Sequence, residues 1–151
     1  MPIHFRILGG GPLQKRVEEL ITLYGLEGKV ELETAFLPER ELLEKMLACH
    51  VVLGQFTDHP RLDRTIQNKT FEALALRKPY ITRDSISNRE LLTDEENCLF
   101  VRKTDARDIA DKILVLRGNL ALREKLAENG YRLFKEKLSP EVLGKELLKL
   151  R

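Results

Sequence analysis

Along this 151-residue chain the apolar positions switch repeatedly between the two-residue period of a strand and the three-to-four-residue period of a helix. Residues 3 to 8, Ile-His-Phe-Arg-Ile-Leu, alternate apolar and polar and stop at Gly9-Gly10-Gly11-Pro12, as a strand entering a tight turn does. Beyond Pro12, Leu13, Val17, Leu20, Ile21 and Tyr24 recur at helical intervals with Lys15, Arg16 and Glu19 outside, and Gly25 closes the run. Lys29 to Thr34 predicts a second strand. Pro38 opens a helix carrying Leu42, Leu43, Met46 and Leu47, and His50 to Gln55 predicts a third strand. Phe56 to Gln67 shows neither period, and a polar loop of that length in a compact domain is a site candidate. A helix over Asn68 to Arg77 follows, then a strand over Pro79 to Thr82, a helical turn near Asn88 to Leu92 and a strand near Cys98 to Val101. The rest predicts three helices, marked by Ile109, Ile113, Leu114 and Leu116, by Leu122, Leu126, Tyr131 and Phe134, and by Val142, Leu143, Leu147 and Leu148.

Short strands separated by helices imply parallel pairing, because parallel neighbours need right-handed crossovers through a helix. The expectation is one Rossmann-like, doubly wound α/β domain over residues 1–151, with about five strands and a helical C-terminus. Such folds bind ligands beyond the carboxyl ends of their strands. That rule selects Gly9 to Pro12, Thr34 to Pro38, Phe56 to Lys69 and Arg83 to Asn88. There is no internal repeat or low-complexity tract.

Composition narrows the classes. With 42% hydrophobic and 33% charged residues, the chain can build a core. Its formal charge of +2 gives no footprint for nucleic acid. The apolar runs Val51 to Leu53 and Ile113 to Leu116 fall far short of the roughly 20 residues a membrane-spanning helix needs. The segment Met1 to Arg6 enters a strand without the apolar stretch of a secretory signal, so a cytoplasmic location is expected. Cys49 and Cys98 stand in unrelated segments without partners at metal-ligand spacing, which reads as reduced core cysteines and no metal. Lys135, Lys137, Lys145 and Lys149 alternate with glutamates and read as solvated helix faces.

Four places offer chemistry. The Gly9 to Pro12 turn sets bare backbone at a helix start, where free N–H groups suit a phosphate; it is neither G-x-G-x-x-G nor a P-loop, and a turn needing positive φ explains it equally well. In Asn68-Lys69-Thr70-Phe71-Glu72-Ala73-Leu74-Ala75, the apolar Phe71, Leu74 and Ala75 are expected to face the core, leaving Lys69 and Glu72 toward the strand ends. Glu72 there either accepts hydrogen bonds from ribose hydroxyls or complements the helix N-terminus. His59, beside Asp58 and Arg61, is either a general base or an ordinary loop histidine. Asp84, Ser85, Ser87, Asn88 and Glu90 either shape a cleft or form local turns. No Ser-His-Asp or Cys-His set and no hydrolytic acid pair is present.

The order Ile-Leu-Gly-Gly-Gly-Pro, helix, Lys-Val-Glu-Leu, Cys-His-Val-Val-Leu, and then Lys-Thr-Phe-Glu-Ala-Leu-Ala-Leu-Arg-Lys-Pro-Tyr-Ile-Thr resembles the C-terminal, nucleotide-sugar-binding domain of GT-B glycosyltransferases of family 4, along almost the whole chain. The resemblance implies that Glu72 takes the ribose role, that Gly9 and Gly11 line the donor cleft, and that Lys69 faces the donor pyrophosphate. It places Arg64, Asn68 and Thr70 in the same donor-binding set. It also implies retaining transfer from a nucleoside diphosphate sugar, a substrate rather than a cofactor, to an acceptor hydroxyl.

Two departures stand out. The family's first motif carboxylate falls at Arg64, eight positions before Glu72, so the sugar-contacting acid is absent or supplied by Asp63 or Asp58. By the resemblance, the family's initial strand and helix and its acceptor-binding N-terminal domain are expected to be missing from these residues. A sheet without its middle strand is expected to re-form in another order or to borrow a strand. The chain would then work with an N-terminal domain or a second copy of itself, and alone would be inactive. The alternative is a nucleotide-binding or assembly module that has lost catalysis; a GT-B-like epimerase half would need an acid pair that the sequence lacks.

Overall fold

The computed structural model describes residues 2–102 and 105–150; Met1, Lys103, Thr104 and Arg151 lie outside the described residues. The chain, read from its sequence as one domain, forms two compact units, Met1–Leu42 and Leu43–Arg151.

The first unit contains β1 (Phe5–Leu8), α1 (Gln14–Leu23) and β2 (Val30–Glu33), and ends in the start of α2 (Glu39–Ala48). β1 and β2 pair in parallel, with Phe5 opposite Val30 and Leu8 opposite Glu33, and α1 is the crossover that this pairing requires. Gly25 ends α1 at φ 59°, a left-handed value that a Cβ resists, while Leu26 N–H donates back to Ile21 O at 2.9 Å. Phe5 and Ile7 on β1 are 37% and 40% exposed, and no described residue of this unit is buried.

The second unit continues α2 and contains β3 (Val52–Leu53), α3 (Asn68–Ala75), β4 (Tyr80–Arg83), α4 (Ile86–Leu91), β5 (Leu99–Val101), α5 (Ala106–Gly118), α6 (Leu120–Leu133) and α7 (Pro140–Leu148). Its strands run in the order β3-β4-β5, all parallel, with Val52 opposite Tyr80 and Ile81 opposite Leu99. Alternation along the strands divides the core between the two sheet faces. Tyr80, Cys98 and Phe100 pack with Ala73, Leu74 and Leu92 on one face; Ile81, Leu99 and Val101 pack with Leu116 and Leu126 on the other. Both faces are covered, as a parallel sheet demands. Close helix packing depends on Gly130 of α6, where a Cβ would stand 2.8 Å from Leu74 Cδ2.

The expected five parallel strands and helical C-terminus are therefore present. The strands form a pair and a triple rather than one ladder. The strand read over His50 to Gln55 contracts to Val52–Leu53, and the polar loop after it holds a 3-10 turn at Pro60–Asp63. α6 runs on into a π-helical turn over Phe134–Leu138. Ser139 ends that turn and caps α7, its hydroxyl accepting from Val142 N–H at 3.4 Å with Pro140 in the first turn. Among the described residues no helix is long and apolar enough to cross a membrane. Both cysteines are free; Cys98 is buried and Cys49 half-buried.

Candidate functional site

Each candidate segment follows a strand end, and the local reason differs in each. At the end of β1, Gly9 N–H extends the ladder to Glu33 O at 2.8 Å, and the chain then turns through Gly9 at φ 136° and Gly11 at φ 149°. A Cβ built at either glycine would meet nothing within 4 Å. Glycine is therefore required for its backbone conformation, and the space beside the turn is open. α1 begins directly after, with Leu13 at its N-cap, no side-chain cap and no acid in its first turn. Its first N–H groups and the positive end of its dipole suit an anion.

α3 has the same character. Its N-cap, Gln67, makes no side-chain cap bond, and its first turn carries no acid. Asn68 is exposed, while Lys69 and Glu72 are half-exposed, and among the described residues neither Lys69 nor Glu72 has an ion pair or side-chain hydrogen bond. The buried residues of α3 are Thr70, Ala73 and Leu74, with Phe71 and Ala75 only half-buried, so its inward face is rotated from the one expected. Thr70 is fully buried, its hydroxyl 2.9 Å from that of Tyr80, and so turns into the core instead of toward a ligand.

The loop Phe56 to Gln67 is built around Arg83, at the carboxyl end of β4. The Arg83 guanidinium is 11% exposed and lies 2.8 Å from Asp63 Oδ1 and 3.1 Å from Asp58 Oδ1, while its other terminal nitrogen donates to Thr57 O at 3.0 Å. The two acids considered for sugar contact are thus both paired with one largely enclosed cation. Ser87 Oγ ties the same loop from α4, bonding Leu62 O at 3.3 Å and Thr65 O at 3.2 Å. His59 Nδ1 accepts from Arg61 N–H at 3.1 Å, which caps the 3-10 turn and gives the imidazole a structural task. Nothing in the pattern of the loop singles out Arg83; the available signal was an arginine at a strand end after two loop aspartates.

Between this loop and α4 opens a cleft of about 680 Å³, lined by Pro60, Ile66 and Ile86 with Asp63, Arg64 and Glu90. Arg64 is exposed and, like Glu90, has no ion pair among the described residues. The other residues after β4 serve the fold. Ser85 Oγ caps α4 by accepting from Asn88 N–H at 3.2 Å. Asp84 pairs with Arg89 Nη2 at 2.7 Å, and that hydrogen bond holds its carboxyl below the usual aspartate range. Burial pushes the Cys98 thiol up, away from thiolate chemistry. No group of His, Cys, Asp or Glu among the described residues is arranged to hold a metal ion.

Comparison with known proteins agrees with this architecture. Residues 2–119 match the family model described as glycosyl transferases group 1. Alpha-D-kanosaminyltransferase of Streptomyces kanamyceticus is 27% identical over 143 residues, which is 95% of this chain and 36% of that protein. The C-terminal domain of the glycosyl transferase group 1 protein LpcC from Francisella tularensis superposes with a TM-score of 0.72 at 23% identity, over 85% of this chain and 63% of that one. Anabaena Alr3699/HepE in complex with UDP-glucose gives a TM-score of 0.81 at 16% identity, over 97% of this chain and 40% of its own. The chain spans little more than a third of the kanosaminyltransferase it matches. On a family match covering most of its length, this chain belongs to the glycosyl transferases group 1 family.

Proposed function

We propose that this chain is the donor-nucleotide half of a retaining glycosyltransferase that moves a sugar from a nucleoside diphosphate to an acceptor hydroxyl. Glu72 accepts hydrogen bonds from the ribose hydroxyls, and Lys69, with Asn68 beside it, serves the diphosphate. Within the first unit, the Gly9 to Pro12 turn is suited by itself to a phosphate, through the N–H groups of Gly10 and Gly11. Arg64 supplies positive charge for the departing diphosphate, a task suited to a guanidinium and unsuited to a sugar-contacting acid. An acceptor-binding domain or a second copy completes the enzyme.

The observation that carries this reading is Glu72 itself, half-exposed and without a side-chain partner among the described residues, on a helix whose opposite face is buried in the core. The UDP-glucose complex of Alr3699/HepE, alike in fold, supports a nucleotide-sugar ligand. A second reading, a nucleotide-binding or assembly module without catalysis, is favoured by one specific observation: both loop aspartates are held by Arg83.

Calorimetric titration with UDP, GDP and ADP, repeated on Glu72→Ala, tests the proposal. Saturable binding is expected, weakened by roughly 1 to 3 kcal/mol in the variant, as for a hydrogen-bonded charged group. A folded chain that takes up none of the three nucleotides would sink it. Nucleotide binding with no sugar transfer, once an acceptor-binding domain is supplied, would select the second reading.

A further inference from the structure

Behind Glu72, α3 turns a hydroxyl inward, and that hydroxyl belongs to a buried polar chain. Thr70, Tyr80 and Thr82 are each 0% exposed and Asn88 is 3% exposed. Thr70 Oγ1 and Tyr80 OH are 2.9 Å apart, and the Thr82 side chain lies beside the phenol. Asn88 Nδ2 reaches Thr82 Oγ1 at 3.4 Å and donates to Arg83 O at 2.8 Å. Arg83 in turn holds Thr57, Asp58 and Asp63 of the long loop. The main chain where that loop leaves β3 lies against the same hydroxyls, since a Cβ at Gly54 would stand 2.4 Å from Thr82 Oγ1 and 2.6 Å from Tyr80 OH.

Filling this volume does not require hydroxyls; Phe and Val have the same shapes, and buried polar groups are costly unless each finds a partner. What hydroxyls add is direction and distance, because an O–H···O bond tolerates only a few tenths of an ångström and a limited angle. Apolar contact lets a helix slide along its axis more freely. Lys69 precedes Thr70 by one residue and Glu72 follows it by two. Any displacement of Thr70 therefore moves both side chains that face outward.

We propose that Tyr80 is a positioning residue for the donor nucleotide: through Thr70 it sets the first turn of α3, and with it the carboxylate of Glu72 and the ammonium of Lys69. The inference rests on the donor reading above and adds to it a determinant that never touches the ligand.

The test compares Tyr80→Phe with the pair Thr70→Val and Thr70→Ser on the full chain. Two readouts apply, the affinity for UDP, GDP and ADP per folded molecule and amide hydrogen exchange at Glu72 and Ala73. Tyr80→Phe and Thr70→Val are expected to weaken the nucleotide bound by the wild type about fivefold to tenfold, the scale of one hydrogen bond. Exchange at Glu72 and Ala73 should quicken while β5 amides stay protected. Thr70→Ser, which keeps the hydroxyl, is expected to recover most of the affinity that Thr70→Val loses. If Tyr80→Phe does not fold, the Thr70 pair decides by the same readouts. Wild-type affinity in Tyr80→Phe or in Thr70→Val, with Glu72→Ala still weakened, overturns the positioning role and leaves the donor reading standing. Absence of binding by the wild type overturns both.

Discussion

β1 and β4 are each four-residue parallel strands, yet one is half-exposed throughout and the other is buried along most of its length. Phe5-Arg6-Ile7-Leu8 carries a charge at its second position and exposes Phe5 and Ile7, whereas Tyr80, Ile81 and Thr82 are fully enclosed. The difference follows from covering. β4 has a strand on each side and a packed cluster on each face, so its two fully buried polar side chains, Tyr80 and Thr82, must find partners inside the core. β1 has one neighbour strand and can afford Arg6, which pairs with Glu31 across to β2 at 2.9 Å. A parallel strand therefore signals its surroundings through its polar residues, which are bonded inward where it is covered and paired at the surface where it is not.

Substitutions in the two units break or sharpen this contrast. Leu126→Ala removes a fully buried side chain beneath β4 and β5 and is expected to cost about 3 kcal/mol in denaturant unfolding; a cost below about 1 kcal/mol would mean the core repacks freely. Gly54→Ala should cost about 2 kcal/mol, as overpacking against fixed hydroxyls does. An unchanged midpoint there would show that the Tyr80 and Thr82 hydroxyls are not held as described.

The Asp84–Arg89 pair predicts a pH dependence with a definite sign. The hydrogen bond from Arg89 depresses the Asp84 carboxyl in the folded state, so the unfolded chain takes up its proton first. The pair's contribution is present above about pH 4 and is lost as pH falls through the depressed folded value. Asp84→Asn should therefore lower stability near neutrality and flatten the acid limb; identical acid dependence in both proteins would contradict this. The smallest effect is expected at Ile7→Ala, where a side chain already 40% exposed should yield under about 1 kcal/mol of global stability.

Much of this is readable from residue order. The β4 and β5 segments are short apolar runs bounded by turns, and Gly25 and Pro38 punctuate helices where expected. The long polar loop and the Lys69–Glu72 spacing also point to the segments that hold the cleft and two charges without side-chain partners among the described residues. Other features involve partners distant in the chain, which no local pattern encodes. Asp58 and Asp63 read as free acids until Arg83, 20 residues beyond Asp63, takes both. His59 reads as a candidate base until the turn places Arg61 N–H against its ring. Thr70 sits in sequence between Lys69 and Glu72, the residues proposed to serve the donor, and the rotation of α3 about its axis turns it to Tyr80.

The sequence by itself determined the alternation of strands and helices, the parallel pairing that follows from it and the turns at which binding residues can stand, because period, glycine and proline act over a few residues. Only the tertiary structure decided that five strands divide into a pair and a triple, that the loop acids belong to Arg83, and that the Thr70 and Tyr80 hydroxyls meet beneath α3. Those outcomes depend on which distant groups can satisfy a buried charge or donor, and packing alone settles that competition.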